Sequence, residues 1–305
     1  MASGRVVAGV IGGACALLVT MADVGTTRAS RVSTMAAAAV AMIAGGTIGA
    51  KLGGSTYADE AVVLLAALIA GWVSASHPGI AAVARFGAVA TATGAGLQFA
   101  DPAIALAAAA GGVMAIAAAF AAWWAFGLPP EENSIDWRAG IRRALAGAGA
   151  GPRFAIAFAL ACATALLAAE WLGVSRPYWA TITVMLVMRR EGTVSLQLVV
   201  HYMVGTLAGI LLAAPISGAG APPIITALIA AAFAALARLG LALNPALGFT
   251  AFTAFFMLAI DLALAAAGIE THLLAARLYD VAVGCGLTLI GLLAARPRRP
   301  SPQLA

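Results

Sequence analysis

Charge is what this chain has least of. Only 10% of its 305 residues are Asp, Glu, Lys or Arg, while 63% are hydrophobic. A soluble globular domain carries about 25% charge. So much apolar surface cannot be buried inside one water-soluble core of this length, which excludes a soluble fold and leaves lipid as the solvent for most of the chain. Lysine is almost missing: Lys51 stands alone, and the other 16 of the 17 basic residues are Arg. These arginines sit in short loops between apolar runs, and no basic stripe interleaves with exposed aromatics. The net charge of +5 therefore excludes rather than supports nucleic acid as a partner. Cysteine is also scarce. Cys15, Cys162 and Cys285 lie singly within apolar runs with no C-x-x-C pair, so neither a disulfide framework nor a zinc site is expected. No Gly-rich phosphate loop follows a strand, no Walker motif occurs, and no nucleophile has a paired base. ATP-driven transport within this chain and enzymatic catalysis are both excluded, and no cofactor or metal is implied.

What is present is a series of long apolar runs. Eleven are read, at approximately 6–22, 33–50, 61–76, 84–98, 103–126, 154–172, 178–188, 195–214, 222–237, 246–266 and 273–295. A spanning helix needs about 20 residues, so the short run 178–188 is expected to extend into its flanks. Helices satisfy their own backbone in hydrocarbon, and the runs are too continuous for the alternation of a membrane barrel. The expected fold class is an all-α membrane protein with 11 transmembrane helices.

Loop charge orients them. With the C-terminus and its Arg296, Arg298 and Arg299 placed in the cytoplasm, alternation brings Arg28, Arg31, Arg85, Arg138, Arg142, Arg143, Arg153, Arg189, Arg190 and Arg238 to the same side. Thirteen basic residues then lie inside and three, Arg5, Lys51 and Arg176, outside, with Arg277 inside the last helix. The expected placement is a multi-pass protein of the inner membrane with its N-terminus outside. Met1 to Arg5 leads at once into the first span, so no cleavable signal peptide is expected there.

An internal repeat is visible. Met21-Ala22-Asp23-Val24-Gly25-Thr26 and Met188-Arg189-Arg190-Glu191-Gly192-Thr193 share the pattern M-x-x-x-G-T, each followed by a second Gly-Thr, at Gly46-Thr47 and Gly205-Thr206. The segments after the connector form a six-helix unit, and those before it fit the same unit without its first helix. Two parallel repeats of five and six helices are expected, the first lacking its opening helix. They occupy 1–126 and 153–296. Between them lies a cytoplasmic connector, 127–152, whose stretch Asp136 to Ala148 reads as a short amphipathic helix touching anionic lipid. A cytoplasmic tail covers 297–305. Gly45-x-x-x-Gly49 and Gly205-x-x-x-Gly209 place small residues on one helix face, where a second backbone can approach closely.

One segment points to a family. Pro177-Tyr178-Trp179-Ala180, then Thr183-Val184, then a basic turn with Gly192-Thr193, then Gly205-Thr206, resembles the fusaric acid resistance protein-like (FUSC) family, which includes aromatic acid exporters. Arg277-Leu278-Tyr279-Asp280 followed by Gly284 is similar to the family's last-helix pattern, R-x-x-D-x-x-x-G. The resemblance covers about 153–296 and is only architectural over 1–126. It implies an inner-membrane helical protein that effluxes aromatic or other organic acids. The chain departs from the pattern in three ways. The first helix of the first half is missing, the connector is too short for the family's large cytosolic domain, and His201-Tyr202 stands where a basic residue is expected before Gly205-Thr206.

Ionisable groups inside lipid are expensive and by default face a cavity or a partner. Four qualify: Glu170, Asp261, Arg277 and Asp280. Arg277 and Asp280 are three apart on one helical face and can form a structural ion pair. Alternatively, Arg277 is a carboxylate-binding fork and Asp261 or Asp280 carries a coupled proton, with Glu170 and His201 as further proton-coupling candidates. Arg176, Tyr178 and Trp179 are either interfacial anchors or an aromatic exit lining that binds substrate. The first copy of the repeat lacks the helix lead-in and the aromatic turn, which directs any binding site to the second half, near Trp179 and Arg277. The first half, sparse in polar residues, offers little to line a pathway, which supports a non-transporting scaffold. Three functions stay open: a secondary exporter of small organic or aromatic acids, proton-coupled if those carboxyls carry protons; a passive anion channel; and a non-transporting membrane scaffold. A homo-oligomer is compatible with all three.

Overall fold

The computed structural model describes residues 2–74, 76–98, 101–127, 136–146, 151–266, 268 and 273–295. The expected tail 297–305 and its Arg298 and Arg299, with Arg296, lie outside them, as does Ala148. Twelve helices run through the described residues: α1 (Ala2–Met21), α2 (Arg28–Leu52), α3 (Thr56–Val73), α4 (Pro78–Leu97), α5 (Pro102–Phe126), α6 (Trp137–Leu145), α7 (Gly151–Trp171), α8 (Tyr178–Val187), α9 (Gly192–Gly218), α10 (Pro223–Leu243), α11 (Pro245–Ala266) and α12 (Leu273–Ala295). The all-α membrane class is borne out. Ten of these helices are long and apolar enough to cross a membrane.

Two helices differ from those ten. The first is α6, a short amphipathic helix that coincides with the basic stretch of the connector. The second is α8. It does not extend into its flanks as the run 178–188 suggested. Pro177 precedes it without a side-chain cap, and Met188 leaves it in an extended conformation (φ −71°, ψ 117°). Ten residues rise only about 15 Å, half the thickness of a bilayer core. This is tolerable because nine of the ten residues are buried inside the bundle, where protein rather than lipid surrounds the irregular backbone at its ends. The turn after α8 is fastened locally: the Arg189 backbone N–H donates to Ser195 Oγ at 2.6 Å, and that hydroxyl donates to the Arg189 carbonyl at 2.8 Å. Burial lowers the Arg189 guanidinium to about 10, with Glu191 opposing the shift, so it keeps its charge at neutral pH.

Helix starts follow the sequence closely. Pro78, Pro102, Pro223 and Pro245 open α4, α5, α10 and α11, at positions where a missing backbone N–H leaves no bond unmade. Thr27 and Ser30 form a reciprocal capping box at the start of α2. Behind it, Asp23 accepts from the buried Arg31 at 3.0 Å and lies 3.7 Å from Arg238 of α10.

Packing repeats along the chain. Helix α2 lies against α4 and α9 against α11; α1 lies against α5 and α8 against α12; α3 neighbours α4 and α10 neighbours α11. Helix α1 meets α11, and α8 meets α4. Helix α7 packs on α3, α8 and α12. Glycines set the closest crossings. A Cβ added at Gly209 would stand 2.6 Å from the Thr250 carbonyl oxygen and 2.8 Å from Thr253 Cβ; at Gly49 it would meet Ala95 N at 2.8 Å. Both Gly-x-x-x-Gly pairs therefore face the helix they pack against, α11 and α4 respectively, as close backbone approach requires.

Candidate functional site

A cavity of about 330 Å³ lies inside the bundle. Its walls come from α1 (Ile11, Cys15, Leu18), α2 (Met42, Gly46, Thr47), α4 (Val89, Thr93) and α5 (Ile104, Ala108), and from Trp179, Ile182 and Leu186 of α8, Phe252 and Phe256 of α11 and Arg277 of α12. Lys51 and Asp101 also line it and are exposed, so it meets the surface where α2 ends and α5 begins. The walls are overwhelmingly apolar with few polar groups, the composition of a small-molecule site.

Arg277 is the charged group deepest in that wall. Its residue is only 6% exposed. Nη2 donates to Tyr202 Oη at 2.7 Å. The guanidinium carbon sits 5.3 Å from the Trp179 ring centroid and 5.9 Å from that of Tyr202. Two aromatic faces and one hydroxyl thus fix the fork in place, since a guanidinium is attracted to ring faces at this range. Tyr202 is fully buried and is itself held by Phe249, ring centroids 4.8 Å apart. A guanidinium has five donors, and one is committed here among the described residues. The rest can meet an anionic group entering the cavity.

The expected Arg277–Asp280 ion pair is not formed. Arg277 turns toward α8 and α9. Asp280 is 0% exposed, and neither of its carboxyl oxygens has a hydrogen-bond partner among the described residues. Spacing of three put both residues on one face of α12, but the long arginine reaches a better-matched hydroxyl and two rings on neighbouring helices.

The other candidates scatter. Tyr178 and Trp179 are 5% and 6% exposed, so they are not lipid-facing anchors; the short helix that carries them is enclosed by α4, α7 and α12. The most exposed aromatics among the described residues are instead Tyr57, Trp124 and Trp171, at 84%, 86% and 87%. Arg176 Nη1 donates to Tyr178 Oη at 3.4 Å, and its guanidinium lies 5.9 Å from the Trp179 centroid. Trp179 therefore sits between two arginines, one on the cavity side and one in the loop before α8. Arg176, Tyr178 and Glu170 line a second, smaller cavity of about 120 Å³ with Asp59, separate from Arg277. Asp261 is half-buried near the end of α11, one residue beyond Ile260 of the main cavity wall, and does not line it. His201 Nδ1 bonds the Gln197 carbonyl of its own helix at 2.7 Å and is likewise away from the cavity.

Two features were missed from sequence. Tyr202 stands 75 residues from Arg277, and only the packing of α9 on α12 joins them. The first part of the chain, read as too apolar to line a pathway, supplies most of the cavity wall through α1, α2, α4 and α5. Its small residues make space rather than polar contacts, which leaves no motif.

Residues 162–291 match the family model described as fusaric acid resistance protein-like. The matched segment holds Trp179, Tyr202, Arg277 and Asp280, and it includes every residue on which the sequence resemblance rested, from Pro177 to Gly284. No curated protein matches, and no solved structure matches.

Proposed function

We propose that this multi-pass membrane protein, a member of the fusaric acid resistance protein-like family over residues 162–291, is a secondary transporter that exports small organic or aromatic acids. One observation carries the reading: a buried arginine, clamped between Trp179 and Tyr202, forms part of the wall of an otherwise apolar cavity. A guanidinium fork matches a carboxylate, and Trp179, Phe252 and Phe256 offer ring faces to an aromatic body. Binding follows from both halves of the ligand. The carboxylate meets Arg277, and the apolar remainder displaces water from α1, α2, α4 and α5.

Of the candidate proton carriers, Asp280 is the best placed. It is buried, one turn from Arg277 on the same helix, and has no hydrogen-bond donor among the described residues. Its protonation state and the anion on Arg277 are coupled by proximity, which is the minimum a proton-driven exporter needs. Like Asp280, the candidates Asp261, Glu170 and His201 do not line the main cavity; they also lack the place of Asp280 one turn from Arg277 on α12 and serve this role less directly.

The recurrent helix pairings support two parallel repeats, α1–α5 and α7–α12, with α7 as the extra opening helix of the second. The loop arginines support an inner-membrane placement with the N-terminus outside. Cysteine labelling at position 3 tests that orientation: reaction with an impermeant reagent from outside is expected, and reaction only from the cytoplasmic side overturns it.

Flux in proteoliposomes tests the function. Labelled aromatic acids are expected to move faster under an imposed pH gradient, with saturation. Saturable flux indifferent to the gradient would instead identify a passive anion pathway. Absence of flux for every acid tried would leave a scaffold.

A further inference from the structure

Helix α6 has one face seated and one face bare. At about 100° per residue, Trp137 and Gly140 share a side that packs onto the bundle. Trp137 Nε1 donates to Ser33 Oγ of α2 at 3.3 Å, and the buried Gly140 meets Ile80 of α4. The helix is capped by Asp136, whose Oδ1 accepts from the Ala139 N–H at 3.0 Å. It therefore lies across the start of α2, the end of α3 and the start of α4, where crossing helices leave the hydrocarbon.

Next to the seated side stands an apolar strip, Ile141 and Leu145, that is 49% and 80% exposed. Beside that strip, about 60° further round, stand Arg138 and Arg142, both exposed. An apolar strip bordered by arginines is the arrangement of a helix lying in a membrane interface. Trp124, 86% exposed in the last turn of α5, is brought to the same side by alternation and marks the same level. Arg28 and Arg153 are exposed at the starts of α2 and α7, so the surroundings of α6 are basic as well. Nothing acidic on α6 itself competes for Arg138 and Arg142, because the carboxylate of Asp136 is engaged at the cap.

We propose that α6 is a docking surface for anionic phospholipid, with Ile141 and Leu145 entering the acyl region and Arg138 and Arg142 binding the headgroup phosphate. The proposal rests on the membrane placement of the chain and not on the transport reading, so either can fail alone. Charge complementarity selects the anionic lipid over a zwitterionic one. Each arginine near an anionic surface contributes about 1 kcal/mol, so removing both weakens the interaction roughly thirtyfold.

The test uses full-length protein in a neutral detergent with Ala146→Cys carrying an environment-sensitive fluorophore; the three native cysteines are buried. Titration with phosphatidylglycerol is expected to shift the emission to the blue, and Arg138→Gln/Arg142→Gln is expected to raise the midpoint about thirtyfold. Arg5→Gln, on another helix, is expected to leave the midpoint unchanged. Four results overturn the proposal. They are an equal shift with phosphatidylcholine, an equal shift with inorganic phosphate, the same rise in Arg5→Gln, and no shift at all.

Discussion

Arg277→Ala is expected to lower acid flux in proteoliposomes by roughly tenfold to a hundredfold, which is the loss of one charged hydrogen-bonding contact of about 1.5–3 kcal/mol. The effect is large because the guanidinium is the deepest charged group in the cavity wall and is already ordered by Tyr202 and two ring faces. A disordered arginine would have to lose side-chain freedom on binding; this one has lost it in folding. The substitution also removes a charge from a buried position, so the protein is expected to insert and remain monodisperse. Arg277→Lys separates fork from charge. A point charge keeps the attraction but loses bidentate geometry, so partial flux is expected. Unchanged flux in Arg277→Ala would remove the carboxylate-fork role altogether.

Asp280→Asn is expected to uncouple the protein from the proton gradient. The amide has the shape of a protonated carboxyl group but cannot release a proton. Flux should survive down the acid's own concentration gradient, while the acceleration produced by a pH gradient should fall to about one. The position is structurally unremarkable otherwise: no hydrogen bond is broken, because Asp280 makes none among the described residues. Preserved gradient dependence in Asp280→Asn would move the proton elsewhere. Asp261→Asn would then be the next variant, since Asp261 adjoins the cavity-lining Ile260.

The class of this protein was legible because lipid imposes a simple rule: helices of about 20 apolar residues separated by charged turns. Proline at helix starts obeys an equally local rule, because a missing backbone N–H leaves no bond unmade there. Helix α8 was harder. Its run of apolar residues invited extension, but a buried helix inside a bundle need not be long enough to cross alone, and nothing in 178–188 records that α4, α7 and α12 surround it. The same enclosure explains why Tyr178 and Trp179 face the interior although their sequence resembles an interfacial anchor. Arg277 was legible as an ionisable residue in an apolar run. Its partner was not, because the sequence offers Asp280 at helical spacing and hides Tyr202 on another helix. The cavity was least legible of all. Gly46, Thr47 and Thr93 shape it by being small, and smallness in a chain with 34 glycines carries no signal until the helices are packed.

The organic-acid site is tested most directly by equilibrium binding of a labelled aromatic carboxylate to the purified protein, alongside its neutral amide. The geometry of Arg277 predicts saturable binding of the acid, with the amide at least about tenfold weaker for loss of the charged contact. Equal affinity for acid and amide, or no saturable binding of the acid, would contradict it.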